Sequence, residues 1–200
     1  WAVYLDDELR RTMAGIGLLA GHRFVNEAMA NGMGPLVRQA MHEEIAPQLN
    51  VPDAAGYADA VVARFENPGI RHELLDIMLH ATTKMRVRVV PLIQSYAATR
   101  KAPPPALTLG FAALLLCLRD VDAIAARAHR KVPQDDSAAR IRDAWRNDAD
   151  VARVAQTVSA DTTLWGADLN QVPGFTPLVA ELLAAMINGS AQAAMAQVRR

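Results

Sequence analysis

Apolar residues recur along the chain at the three- and four-residue spacing of helices, and proline and glycine mark where those helices are expected to begin and end. The first half predicts helices over Asp7 to Ala30 (cut by Gly15, Gly17 and Gly21), Pro35 to Ala46, Ala54 to Phe65, and from an Asn67-Pro68 start to Val90, the residue before Pro91. The run Pro103 to Pro105 is expected to connect two helical halves.

The second half continues the helical pattern. It predicts a long helix from Leu107 to Ala128, a turn at Lys131 to Asp136, and a helix carrying Ile141 and Trp145. A further helical stretch is predicted over Val151 to Val158, followed by a loop between Trp165-Gly166 and Pro173-Gly174. The last elements are a helix capped by Thr176-Pro177 that ends at Asn188-Gly189, and a short final helix. The longest apolar run, Ala106 to Leu118, is too short to span a bilayer and is expected to be a buried helix.

Composition favours the same fold class. Helix-forming Ala, Leu, Met, Arg and Glu are common, whereas aromatic residues make up 5% of the chain. We therefore predict an all-α, multi-helix globular domain over residues 1–200, with two subdomains joined near residues 101–105 as a possible subdivision.

Charge and cysteine content exclude several classes of protein. Lys and Arg (21) balance Asp and Glu (21), so the sequence gives no reason to expect nucleic acid or an anionic membrane as a partner. The single cysteine, Cys117, excludes a disulfide framework and a cysteine-based zinc site. The first eleven residues carry five charges and no apolar core segment, so we expect a cytoplasmic protein.

The segment between Arg71 and Arg88 carries the strongest candidate chemistry. If it is one helix, His72, Asp76, His80 and Lys84 form one drifting polar stripe, and apolar residues occupy most of the remaining circumference. Such a stripe lines a cleft, meets a partner or is a partly solvated face in which His72 and Asp76 pair at i, i+4. A metal site of His72, Asp76 and His80 is geometrically possible, but lone helical residues seldom supply an entire site.

A glycine motif and several single residues have simpler interpretations. Gly15 to Ala20 matches the dinucleotide fingerprint G-x-G-x-x-G/A, but a charged, helix-like segment precedes it in place of the required strand, so close helix packing is favoured. Trp145 and Trp165 are predicted core anchors, and Cys117 is predicted to be an inert buried thiol. The separate histidines His22, His42 and His129 receive no role.

A series of motifs resembles the C-terminal domain of the mannitol dehydrogenase superfamily, the long-chain polyol dehydrogenases, and especially its tagaturonate reductase (altronate oxidoreductase) branch. The motifs are Leu19-Ala-Gly21, Val25-Asn-Glu-Ala-Met29, Glu43-Glu44-Ile45-Ala-Pro47, Arg64-Phe65-Glu-Asn67-Pro68-Gly-Ile70-Arg71-His72-Glu-Leu74, Lys84-Met-Arg86-Val-Arg88-Val-Val-Pro91, Val132-Pro-Gln-Asp135-Asp136, and Leu164-Trp165-Gly166-Ala-Asp168-Leu169 with Pro173-Gly174.

The resemblance implies an all-α fold like the C-terminal domain of 6-phosphogluconate dehydrogenase. It also implies that an N-terminal Rossmann domain binds NAD and that the helical C-terminal domain closes over a sugar acid or polyol. That Rossmann domain is expected to be absent from these 200 residues, so NAD is expected in the complete enzyme and no cofactor for this chain alone. The family's catalytic lysine should lie just before Thr12, where this chain has Asp6 to Arg11. No catalytic residue is therefore assigned.

Carried over from the family, Lys84 corresponds to a basic substrate-contacting position, with Arg71, His72 and Arg88 as further substrate-binding candidates. The resulting hypothesis is a helical substrate-binding domain of an NAD-dependent oxidoreductase that acts on a tagaturonate- or altronate-like sugar acid or a polyol. The alternative is a non-catalytic helical interaction or oligomerisation module that has lost the chemistry.

Overall fold

A computed structural model describes residues 12–199, which form α-helices joined by short turns. The helices are α1 (12–19), α2 (Val25–Ala28), α3 (Gly34–Gln39), α4 (Ala54–Glu66), α5 (Leu74–Ile77), α6 (Ala81–Lys84), α7 (Val90–Arg100), α8 (Pro105–Arg119), α9 (Val121–Arg127), α10 (Ala138–Asn147), α11 (Val151–Ala160), α12 (Thr162–Trp165), α13 (Phe175–Asn188) and α14 (Ala191–Val198). Extended pairing in this range is limited to an isolated antiparallel bridge between Phe24 and Glu73. The all-α prediction is confirmed.

Several helical segments of the described range are π-helical or 3-10 in place of α-helical. Met29–Met33, Ala40–Ile45 and Met85–Val89 are π-helical, although the first contains a kink at Asn31 and Gly32, and Ala46–Gln48 and Leu169–Gln171 are 3-10 turns. Within residues 12–199, no helix combines the length and the apolar character needed to cross a membrane.

Helix α8 forms the centre of the core, as its apolar sequence predicts. Every residue from Ala106 to Leu118 is buried, and α13, α14, α10 and α3 pack around the helix. The Phe111 ring contacts Trp165 in a tilted arrangement at a ring-centroid distance of 4.8 Å and contacts Phe175 edge-on at 5.1 Å. Burial of this whole helix explains why its sequence lacks a polar face.

Glycines allow α1 to lie directly against α8. A Cβ at Gly110 would lie 2.0 Å from Thr12 Cγ2, and a Cβ at Gly15 would lie 3.1 Å from the carbonyl carbon of Ala113. The Cys117 thiol donates to the Gly15 carbonyl at 3.2 Å, and burial raises the pKa of Cys117. The predicted helix packing through Gly15 and the predicted burial of the Cys117 thiol are both confirmed.

The continuous helix expected from Asn67-Pro68 to Val90 is wrong at both ends. Residues 71–73 are extended, α5 is one turn long, and His80 has a left-handed backbone (φ 53°) that separates α5 from α6. From Ala81 the chain is helical without interruption to Arg100, through Pro91. Pro91 is accommodated because the preceding turn is π-helical, which removes the α-type hydrogen bond and carbonyl contact that proline would disrupt.

Two other predicted boundaries differ in detail. The helix expected over Leu107 to Ala128 divides at Asp120 into α8 and α9. Gly174 (φ 73°) precedes α13 as its N-cap, while the Thr176 hydroxyl, predicted to cap it, donates to Asn170 Oδ1 at 2.6 Å. The end of α13 at Asn188 agrees with the prediction.

Candidate functional site

Arg71 and His72 lie on the extended segment that precedes α5. This segment pairs with the α1–α2 connection, because the Val25 amide donates to the His72 carbonyl at 3.0 Å and the Leu74 amide donates to the Arg23 carbonyl at 2.9 Å. The Arg71 guanidinium is exposed and lies 4.3 Å from the centre of the Phe24 ring, within cation–π distance. The pairing therefore fixes the backbone that carries both candidates.

An ion-pair network reinforces the same segment. The Glu73 carboxylate accepts from Arg23 at 2.7 Å and also pairs with Arg130, which reaches Asp76 at 2.6 Å. The Arg23 hydrogen bond, with the positive charge of Arg130, lowers the pKa of Glu73. Asp76 is thus committed to Arg130, and His72 lies outside any helix, so the predicted i, i+4 pair of His72 and Asp76 is wrong.

Lys84 ends α6, and its ammonium donates to the Leu79 carbonyl at 2.6 Å. The lysine is half-buried. The hydrogen bond to Leu79 reaches back across the turn at His80, so the ammonium of Lys84 is held close to the end of α5.

Asp135 fixes the start of the helix that carries Lys84. Its carboxylate accepts from the Thr82 amide at 2.8 Å and from the Thr82 hydroxyl, and the His80 amide donates to the Gln134 carbonyl at 2.8 Å. A carboxylate at the first turn of a helix satisfies amides that have no partner inside that helix. The segment 132–137 therefore fixes, through these hydrogen bonds, the position of the residues before Lys84.

The π-helical stretch after Lys84 carries Arg86 and Arg88. Arg86 packs against α12 and its C-cap: its guanidinium donates to the Thr163 carbonyl at 3.4 Å, and a Cβ at Gly166 would lie 3.3 Å from Arg86 Nε. Arg88 is half-buried. Residues 84–88 thus hold three cations and no carboxylate.

The structure does not unite the four sequence-predicted binding residues on one helix face. Lys84 and Arg88 share one helical stretch, whereas Arg71 and His72 belong to the extended segment that the turn at His80 separates from it. The polar stripe of His72, Asp76, His80 and Lys84 is therefore wrong as a helical feature. No group of three or more His, Cys, Asp or Glu in residues 12–199 is placed to hold a metal ion.

The described residues do not form a dinucleotide site at the glycine fingerprint. Gly15 to Leu19 lie inside α1, and the space beside Gly15 is filled by the α8 backbone, so no strand-to-helix turn is open to a pyrophosphate. The departure from the family's catalytic lysine motif at Asp6 to Arg11 lies outside the described residues.

Residues that sequence reasoning missed act mainly through charge. Glu73, Arg130 and Asp135 position the candidate segments, although Asp135 already stood in one of the family-like motifs. A side chain that caps a helix some fifty residues away leaves no local periodicity, so spacing alone could not identify these roles.

Comparison with solved structures defines the class of fold. The chain superimposes on Pseudomonas fluorescens mannitol 2-dehydrogenase, solved as a ternary complex with NAD and D-mannitol, with a TM-score of 0.79, at 20% identity, over 96% of this chain and 38% of that one. D-sorbitol dehydrogenase in substrate-free form gives a TM-score of 0.69 at 17% identity, over 94% of this chain and 38% of that one.

The sequence comparisons identify the family. Residues 11–187 match the model of the mannitol dehydrogenase C-terminal domain, and the chain belongs to this family. It is 34% identical to altronate oxidoreductase of Bacillus subtilis (strain 168), over 86% of this chain and 35% of that protein. It is 35% identical to altronate oxidoreductase of Cronobacter sakazakii, over 90% of this chain and 38% of that protein. The chain thus spans little more than a third of the length of these relatives.

Proposed function

We propose that this chain is the substrate-binding helical domain of an NAD-dependent oxidoreductase that acts on a sugar acid of the altronate or tagaturonate type. In the complete enzyme, a Rossmann domain supplies the NAD site and the activity belongs to the two domains together. Support comes from the two altronate oxidoreductase relatives, each at least 34% identical over most of this chain.

The observation that carries the proposal is the placement of Lys84. It is a half-buried cation at the end of a helix that Asp135 holds by its first turn, and it lies in a five-residue stretch with Arg86 and Arg88. A sugar acid differs from a polyol by its carboxylate, which a fixed ammonium recognises through a charge-assisted hydrogen bond. We therefore assign the substrate carboxylate or an adjacent hydroxyl to Lys84, with Arg88, Arg71 and His72 as further contacts.

NAD chemistry is hydride transfer, and this chain contributes binding and orientation of the sugar acid to it. Because the glycine fingerprint is packed inside α1, the 200-residue chain alone is expected to show no saturable NADH binding by calorimetry. Saturable binding at micromolar NADH would contradict this division of labour between the two domains.

The decisive experiment joins the chain to the amino-terminal part of an altronate oxidoreductase and measures NADH oxidation with tagaturonate, fructuronate and fructose. Lys84→Ala should lower kcat/KM for the sugar acid by roughly ten- to a hundredfold, corresponding to about 1.5 to 3 kcal/mol, while the melting temperature is retained. Lys131→Ala, which removes an exposed lysine, is the matched control and should leave kcat/KM unchanged.

Unchanged kinetics in Lys84→Ala would remove Lys84 from the site. Absence of activity in a folded chimera that binds NADH would instead favour a non-catalytic interaction module.

A further inference from the structure

A cleft of about 400 Å³ opens where the ends of α1 and α9 meet the extended segment before α5. Its polar lining consists of His22 and Arg23 after α1, Glu73 from the extended segment, and Arg127 and His129 at the end of α9. The volume lies in the range of small-molecule sites. None of the four residues assigned to the sugar acid lines this cleft.

Both helices that end at the cleft have the same hydrogen-bonded terminus. At the end of α1, the His22 backbone amide donates to the Gly17 carbonyl and the Gly21 amide to the Leu18 carbonyl. At the end of α9, the Arg130 backbone amide donates to the Ala125 carbonyl and the His129 amide to the Ala126 carbonyl. These are Schellman motifs, which satisfy the terminal carbonyls within the backbone. The basic side chains at the cleft are therefore not needed to bond those carbonyls.

The two motifs differ at the position that requires a left-handed backbone. Gly21 occupies it after α1 with φ 85°, whereas His129 occupies it after α9 with φ 53°. Glycine adopts this conformation without steric cost, but a residue with a Cβ is strained there. A histidine in place of glycine at the cleft wall therefore lowers the stability of the fold. Residues with strained backbones of this kind are concentrated at functional sites.

Basic side chains outnumber carboxylates among the described residues that line the cleft. Of these residues only Glu73 carries a carboxylate, and it already pairs with Arg23 and Arg130, while His22 Nδ1 lies 3.7 Å from the Glu27 carboxylate. The side chains of Arg127 and His129 make no hydrogen bond or ion pair with other side chains of residues 12–199. His22 Nε2 is buried without a hydrogen-bond partner in the described range, although buried polar atoms nearly always have one.

We propose that this cleft is a second binding site, for a small carboxylate, with Arg127 and His129 as the groups that contact the ligand. The Arg127 guanidinium supplies a planar donor pair that matches a carboxylate. His129 lines the wall of the same cleft. The site is separate from the proposed sugar-acid site at Lys84, and it is testable in the 200-residue chain without a cofactor domain.

The test titrates the Lys84→Ala chain, in which the proposed sugar-acid site is removed, with D-gluconate and with citrate, and uses the neutral polyol D-glucitol as the matched probe without a carboxylate. Calorimetry should show saturable binding of a carboxylate probe that weakens with added salt, and no binding of glucitol. Arg127→Gln should weaken the carboxylate affinity by about tenfold or more.

His129→Gly separates a functional role from a structural one. Glycine removes the backbone strain, so the variant should melt about 2 to 4 °C higher than the wild type, yet bind the carboxylate more weakly. Lys101→Gly is the control: Lys101 has a left-handed backbone at the end of α7 (φ 57°) and does not line the cleft. It should raise the melting temperature similarly and leave binding unchanged.

Three results would overturn the proposal: no saturable binding of either carboxylate, binding of glucitol as tight as that of gluconate, or wild-type affinity in both Arg127→Gln and His129→Gly. Each is independent of whether the chimeric enzyme reduces tagaturonate, so failure here and failure of the proposed oxidoreductase function are distinguishable.

Discussion

Helix α8 begins with an unusual cap that a single substitution can test. Its N-cap is Pro104 and its first residue is Pro105, so the chain has no local side-chain oxygen for the next two amides. Glu44 supplies both oxygens from the π-helical stretch Ala40–Ile45: the Ala106 amide donates to Oε1 at 2.8 Å and the Leu107 amide to Oε2 at 2.9 Å. Glu44 is 1% exposed.

The expected cost of Glu44→Gln follows from this geometry. Glutamine keeps one acceptor oxygen but places an amide nitrogen opposite the second backbone donor, leaving that buried N–H unsatisfied at a cost of about 1 to 3 kcal/mol. It also removes a negative charge from the positive end of a helix, which is worth up to about 2 kcal/mol when buried. We therefore expect Glu44→Gln to lower the free energy of unfolding by about 2 to 4 kcal/mol.

Urea unfolding followed by circular dichroism measures this change, and the neighbouring residue provides the control. Glu43 is exposed, so Glu43→Gln should change the free energy of unfolding by less than about 0.5 kcal/mol. If Glu44→Gln were as stable as Glu43→Gln, the Glu44 carboxylate would not be the cap of α8 and the reasoning would fail.

Two further predictions concern stability. Gly110→Ala should destabilise the fold by about 1 to 3 kcal/mol in the same unfolding assay, because its Cβ would lie 2.6 Å from the Thr12 carbonyl oxygen and push α1 away from α8; equal stability would show that the two helices have room to separate. Burial raises the pKa of Asp161, but the Arg140 hydrogen bond and the α12 amides outweigh it, so the net pKa is lowered. The folded state therefore gains stability from ionised Asp161 above its ordinary value of 3.8 and loses it as pH falls through the lower folded pKa. Asp161→Asn should flatten the fall in stability at acid pH, and an unchanged pH profile would contradict the assignment.

The sequence alone determined those elements whose signals are local. The apolar run from Ala106 to Leu118 could only be a buried helix. The glycine at Gly15 pointed to helix packing because the charged sequence before it does not predict a strand, and the end of α13 follows from Asn188-Gly189. Hydrophobic periodicity and helix-stop residues depend on positions only a few residues apart, so the local sequence is sufficient to predict these features.

Tertiary structure decided the segment between Arg71 and Pro91. Local propensity favoured one helix. Pairing with residues 23–25, the ion pairs of Glu73 and Asp76, and the hydrogen bond from His80 to Gln134 instead fixed an extended segment, the short helix α5 and a new helical start at Ala81. Contacts from distant parts of the chain contribute more than the few tenths of a kcal/mol per residue by which helix propensities differ. Two further features depend on residues far apart in sequence: the placement of Lys84 relative to Asp135, and the meeting of α1 and α9 at the cleft between their ends. A local sequence pattern cannot predict contacts of this kind.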